Sequence, residues 1–266
     1  MKKIAITLFL ALLCLPSIAQ NNKESDMDYF REITRTLASD EFGGRKPLSE
    51  YEPLTINYLA EEFKKLGLKP AYGDSYLQAV KEISTLSIPE KDRVGIKGTK
   101  NSLNLIQGKD IVVWSHRNTD KVEVKNADIV FAGFGIDDQK YNWNEFDGID
   151  VKGKIILAMV NDPGFYNPEL FRGKNMTYNG RWCYKLEEAL RKGALGCLVV
   201  HNTAAASYEF TVCSNSHKGV NISTLDENDN KDALGVCGWI AEDAARNIFR
   251  SCGKDYSCGH QGTIAV

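Results

Sequence analysis

The sequence predicts a mixed α/β fold, and three observations carry that prediction. Residues 127–132, 155–160 and 195–201 are short, β-rich runs of mostly apolar residues, the length and composition of buried strands. Residues 180–192, between the last two runs, carry helical patterning and are closed by Gly193, so this stretch reads strand–helix–strand. A last helix over residues 242–252 sets Ala245, Ile248, Phe249 and Cys252 on one face and stops at Gly253.

The remaining elements follow in order. Residues 20–25 are polar and expected to be unstructured. Ser25 with Asp28 three residues later resembles a capping box opening a helix whose Met27, Phe30, Ile33 and Leu37 share a face. Ser49 with Glu52 fits the same pattern for a second helix, where Leu54, Leu59, Phe63 and Leu66 recur near helical spacing and Gly67 supplies the left-handed residue that ends it. Residues 39–48 form the loop between these helices. From residue 76 to about 114, short apolar stretches alternate with Gly and Pro and read as several strands. The final eight residues, 259–266, show no packing pattern, and there is no internal repeat.

The composition allows a buried core, with 266 residues of which 43% are hydrophobic and 26% charged. A formal net charge of −2 leaves no basic excess for a phosphate backbone or an anionic membrane surface, so nucleic acid is not an expected partner. Lys2 and Lys3, the apolar residues 4–15, and the small residues Ser17 and Ala19 have the order of a secretory signal cleaved after Ala19. The apolar run is shorter than the ~17–25 residues of a spanning helix, so no membrane span is expected and the mature chain would be exported, periplasmic or extracellular. Cys14 is followed by Leu15-Pro16 and makes a poor lipidation site. The other six cysteines, Cys183, Cys197, Cys213, Cys237, Cys252 and Cys258, all fall in the second half, where an oxidising compartment permits either disulfides or buried thiols. Their pairing is open, because six cysteines allow 15 pairings.

Familiar catalytic signatures are missing. The chain has no Gly-x-Ser-x-Gly elbow, no phosphate loop and no His-Glu-x-x-His zinc helix. Gly133-Phe134-Gly135 lacks a third glycine and is followed by Asp137-Asp138, so it reads as a turn rather than a dinucleotide loop. Asp226, Asn228, Asn230 and Asp232 alternate like calcium ligands, yet Lys231 and Cys237 stand where Gly and Glu are needed, and a solvated turn is expected. The pairs Asp40/Glu41 and Glu187/Glu188 read as solvated charge. Cys213/His217 and Cys252/Cys258/His260 are too loosely spaced for a zinc cluster. His116, His201, His217 and His260 are far apart in the chain and could meet only in three dimensions.

Two strings resemble a known family. Leu37-Ala38-Ser39-Asp40-Glu41-Phe42-Gly43-Gly44-Arg45, then Tyr58-Leu59-Ala60-Glu61-Glu62-Phe63-Lys64-Lys65-Leu66-Gly67-Leu68-Lys69-Pro70 and Tyr76-Leu77-Gln78, resemble the start of secreted di-zinc aminopeptidases of metallopeptidase family twenty-eight. The stretch from Asp128-Ile129-Val130-Phe131-Ala132-Gly133-Phe134-Gly135-Ile136, through Asp150-Val151-Lys152-Gly153-Lys154-Ile155 and Asn161-Asp162-Pro163-Gly164, to Gly180-Arg181-Trp182 and Gly193-Ala194-Leu195-Gly196, is similar to the protease-associated domain that many of these enzymes carry as an insertion. In physical terms Gly153 permits a tight turn before a strand, while Gly193 and Gly196 let a helix end pass close over the next one. Arg181 and Trp182 are the candidate binding residues, since an arginine beside a tryptophan offers a donor fork and an aromatic face to a peptide or carboxylate. Their alternative role is structural, with Trp182 closing the core and Arg181 pairing to a neighbouring acid.

The resemblance implies an N-terminal lobe of a peptidase domain over residues 26–115, a protease-associated domain over 116–239, and a connecting helix and tail over 240–266. It also implies a complete enzyme that removes N-terminal residues from peptides using two zinc ions, with the inserted domain shaping substrate access. The family's zinc ligands, an H-x-D, a later Asp, a Glu pair and a distant His, lie C-terminal to the insertion, and none is recognisable here. No catalytic residue, metal ligand or cofactor is therefore assigned within this chain. The expectation is the N-terminal portion of such an enzyme, inert alone, with a peptide substrate or a separate catalytic half as partner. The alternatives are a non-catalytic secreted module that binds peptide or protein, and an unrelated hydrolase built from converging histidines.

Overall fold

The structure, a computed structural model, describes residues 23–87, 92–256 and 264–265. The segment read as a secretory signal, the first residues of the polar stretch after it, Cys258, His260 and most of the tail lie outside the described residues. The chain divides into two compact units, Met1–Ala79 and Val80–Val266.

The first unit holds helix α1 (Lys23–Leu37), a short 3-10 stretch (Asp40–Arg45) and helix α2 (Glu52–Lys65). Helix α1 begins before Ser25, so residues 23–25 are helical rather than unstructured; nothing in Lys23-Glu24-Ser25 breaks a helix. The start of α2 departs from the expected capping box, because the Glu52 carboxylate accepts the Leu48 N–H at 2.7 Å while the Ser49 hydroxyl donates to the Lys46 carbonyl. Its end is as expected. Leu68 N–H reaches Phe63 O and Gly67 N–H reaches Lys64 O, the paired bonds of a Schellman turn that needs Gly67 at φ 72°. Phe42 is buried and meets Tyr58 edge-on at 5.6 Å, while Tyr29 donates to Glu62 at 2.8 Å and Lys65 pairs with the same carboxylate at 2.6 Å. Those contacts turn the apolar faces away from the ones the spacing predicts: Phe30 is 63% exposed and Phe63 43%.

The second unit is built on a six-stranded mixed sheet, in the order β13-β5-β8-β10-β12-β4. Strands β5 (Ile129–Phe131), β8 (Ile155–Met159), β10 (Gly196–His201) and β12 (Val236–Ala241) are parallel, and β4 (Ile111–Trp114) and β13 (Ile264–Ala265) pair antiparallel on the edges. Every residue of β8 and β10 is buried, as a parallel sheet covered on both faces requires. One face packs Ile156, Ala158, Val199 and Trp239 under helices α3 (Trp182–Arg191), α4 (Thr203–Ala206) and α5 (Phe210–Ser216). The other packs Ile155, Leu157, Leu198 and Ile240 against α6 (Glu242–Ser251) and the hairpin of β2 (Arg93–Lys97) and β3 (Ser102–Ile106). Two further antiparallel pairs are β1 (Glu82–Ser87) with β11 (Gly219–Thr224), and β6 (Asp137–Asp138) with β7 (Trp143–Asn144), and strand β9 (Phe171–Lys174) falls between β8 and α3 in the chain.

Several expectations need correction. The border expected between residues 115 and 116 falls inside the second unit, because β4 is hydrogen-bonded to β12 and α6 packs on β3, β10 and β12. The border at 239/240 likewise cuts β12. In the tail, Ile264 and Ala265 pair with Phe131 and Val130. Glu188 is not solvated; it faces inward on α3, wholly buried, and pairs with Arg191 and Lys192. The five described cysteines are free thiols, three of them, Cys197, Cys213 and Cys237, buried in the first core.

Gly196 gives the fold a direct test. A Cβ there would lie 2.5 Å from Val236 O and 2.9 Å from Ile155 Cδ1, so the two neighbouring strands leave no room. Gly196→Ala is expected to destabilise the protein by about 1–3 kcal/mol, read as a lower urea midpoint with an unchanged m-value.

Candidate functional site

The C-terminal end of β8 leads into a long excursion that ends at Arg181, and its geometry is set by buried polar groups. Asp162 is fully buried; its carboxylate accepts Gly164 N–H at 3.0 Å, Thr177 N–H at 2.8 Å and the Thr177 hydroxyl at 2.6 Å. Asn161 N–H reaches Gly180 O at 2.9 Å. From α3, the fully buried Lys185 donates to the carbonyls of Asn161, at 3.0 Å, and Asn179. Burial pushes its pKa down to about 7, against the opposing pull of Glu145 and Asp162. Both ends of the excursion are thus tied to one another and to the first turns of α3, which fixes Arg181 and Trp182.

Arg181 is the N-cap of α3, with no side-chain cap bond, and it is exposed. Among the described residues no carboxylate forms an ion pair with it. For Trp182 the structural alternative holds. The indole packs against the first core, 6.1 Å from Trp114 and 6.3 Å from Trp239. From Trp239 the aromatic layer continues to His201 at 5.7 Å and Tyr208 at 6.4 Å, with Phe210 edge-on to His201. His201 is buried, its Nε2 has no hydrogen-bond partner among the described residues, and burial holds its pKa below the ordinary imidazole value. Burial pushes the Tyr208 hydroxyl up to about 12, with the nearby Cys213 thiol adding to the rise and Arg181 opposing it.

The histidines converge in part. His217, at the end of α5, stacks on Trp114 with centroids 3.8 Å apart, and Trp114 donates from Nε1 to His116 Nε2 at 3.1 Å. His201 lies deeper in the layer, and His260 is outside the described residues.

No protein-family model matches the sequence, and no curated protein does. Among solved structures, the chain is similar to an aminopeptidase from Aneurinibacillus sp. strain AM-1, at TM-score 0.33 and 17% identity over 76% of this chain. It spans 36% of that protein's length.

Nothing among the described residues fits the two zinc ions that the sequence resemblance implies. Among the described residues no group of three His, Cys, Asp or Glu side chains is placed to hold a metal ion. Gly133-Phe134-Gly135 forms a turn whose amides serve the protein itself, since the Glu145 carboxylate accepts N–H from Phe134 at 2.9 Å and from Ile136 at 3.1 Å. Burial raises the Glu145 pKa, while these amides and Lys185 oppose the rise. Asp226 likewise spends its carboxylate on the N–H groups of Asn228 and Asn230 in an exposed turn. An apolar cleft lined by Ile96, Ile111, Val124, Ile129, Leu198 and Val236 includes none of the aromatic-layer residues. No helix among the described residues is long and apolar enough to cross a membrane.

The sequence reading gave Lys185 no role and named Asp162 only within a string of the family resemblance. A signal existed for the lysine: it stands three residues after Trp182 and four before Ala189, on the inward face of an amphipathic helix. Because its folded pKa is depressed, the penalty for burying its charge is present below about pH 7 and is relieved as pH rises towards the unfolded value. The difference in unfolding free energy between wild type and Lys185→Met should therefore shift in favour of wild type from pH 7 to pH 10, measured by urea denaturation at each pH. A difference independent of pH would contradict the assignment.

Proposed function

We propose that this chain is the substrate-handling portion of an exported zinc aminopeptidase: it contacts peptide at Arg181 and Trp182 and shapes access to a catalytic centre that it does not itself supply. The observation that carries the reading is an exposed guanidinium with no carboxylate ion pair among the described residues, held beside a packed indole by a buried polar clamp. A planar donor fork there suits a peptide carboxylate or carbonyl, and the adjacent aromatic surface suits an apolar side chain. The two sequence strings and the signal-like N-terminus support the peptidase lineage and the export.

A second reading, a self-standing peptide- or protein-binding module, is favoured by one observation. The sheet of the second unit has both faces covered by its own elements. The readings share the peptide contact and differ in whether a separate catalytic half is needed.

The contact can be tested by titrating the full chain with a mixed short-peptide library and following tryptophan fluorescence. Arg181→Ala should weaken binding about tenfold, roughly 1.4 kcal/mol, with Arg181→Lys in between. An aminoacyl-anilide assay with added zinc should give no turnover. Equal binding by Arg181→Ala would dismiss the contact, and chelator-sensitive turnover would dismiss the non-catalytic role.

A further inference from the structure

We propose that Trp114, His116 and His217 form a proton-operated latch that sets the position of the Trp114 indole. The indole N–H can only donate, so the 3.1 Å bond to His116 Nε2 requires a lone pair on that nitrogen and places the proton of the neutral ring on Nδ1. The other side of the indole is held by His217, stacked at 3.8 Å, whose ring is itself tied through Nδ1 to the Cys213 carbonyl at 3.0 Å. Trp114 is thus gripped by a hydrogen bond and a stack, both supplied by imidazoles.

Protonation of His116 converts its acceptor nitrogen into a donor. Two N–H groups then face each other, the bond is lost, and the new cation sits beside the His217 ring. Among the described residues, the groups facing His116 offer no compensation. From α5 there is His217; from β12 there is the Cys237 thiol, which interacts with the His116 backbone; along its own segment there are Trp114 and Arg117, whose guanidinium donates to the Ala233 carbonyl at 3.0 Å. None of these is a carboxylate. His116 is an exposed residue whose ring bonds to the indole; partial desolvation there, followed by the His217 charge, holds its pKa below the ordinary imidazole value. Acid therefore releases Trp114, and because Trp114 packs edge-on against Trp182 at 6.1 Å, the release reaches the layer beside Arg181. The latch stands independently of peptide binding, since its readout is the indole itself.

The test follows tryptophan emission of the full chain from pH 8 to pH 4. Wild type should show a transition with a midpoint below about 6.5 that is absent in Trp114→Phe. His116→Gln keeps a neutral acceptor for the indole but cannot titrate, so it should fold and lose the same transition. His217→Gln should move the midpoint upward by removing the neighbouring charge. A transition that survives in Trp114→Phe, or an unchanged midpoint in His116→Gln, would overturn the proposal. Imidazole nitrogen shifts in the wild-type protein at pH 8 provide a check that needs no variant: a His116 proton on Nδ1 is expected, and one on Nε2 would overturn the latch.

Discussion

Two parallel strands that lie side by side in the middle of a sheet must be covered on both faces. Much of this molecule follows from satisfying that demand for β8 and β10. Their residues alternate between two apolar layers, with Ile156, Ala158 and Val199 on one side and Ile155, Leu157 and Leu198 on the other. Burying each large side chain contributes about 1.5–3 kcal/mol, so an uncovered face would forfeit a large part of the net stability of a domain. Helices α3, α4 and α5 cover the first face. Helix α6 and the β2–β3 hairpin cover the second.

The same constraint places the candidate site. A crossover from β8 to β10 has to leave the sheet at the end of β8 and return over it as a helix, and the excursion of residues 161–180 is that departure. Its backbone polar groups cannot all face water, and Asp162 and Lys185 satisfy them from within. Lys185 is buried because the clamp needs a donor that reaches two carbonyls, and its depressed pKa is the consequence. Arg181 is left at the surface as the uncapped start of α3, while Trp182 joins the aromatic layer that closes the first core.

Local pattern made the central elements legible. The apolar runs at 155–160 and 195–201, the helix between them and its stop at Gly193 correspond to β8, β10 and α3, and the pattern at 242–252 to α6. Long-range pairing did not show. Nothing local in Ile111–Trp114 announces that it will bond to β12, more than a hundred residues later, which is why the expected border at residue 115 fails. Nor could charge be assigned to inside or outside from residue type. Glu188 looks like surface charge beside Glu187, but α3 turns one outward to Tyr178 and the other into the protein beside Lys192. The site divides along the same line. Arg181 and Trp182 were visible as neighbours in sequence, whereas Trp114, His116 and His217 meet only because β4 and α5 are brought together by the sheet.

Hydrogen exchange on the full chain, resolved by residue, tests the dependence on the doubly covered strands most directly. The account predicts that amides of Ile155–Met159 and Gly196–His201 exchange slowest, at the rate set by global unfolding, and that those of the solvent-facing β1–β11 pair exchange orders of magnitude faster. Equal protection of β1, β11 and the two central strands would contradict it.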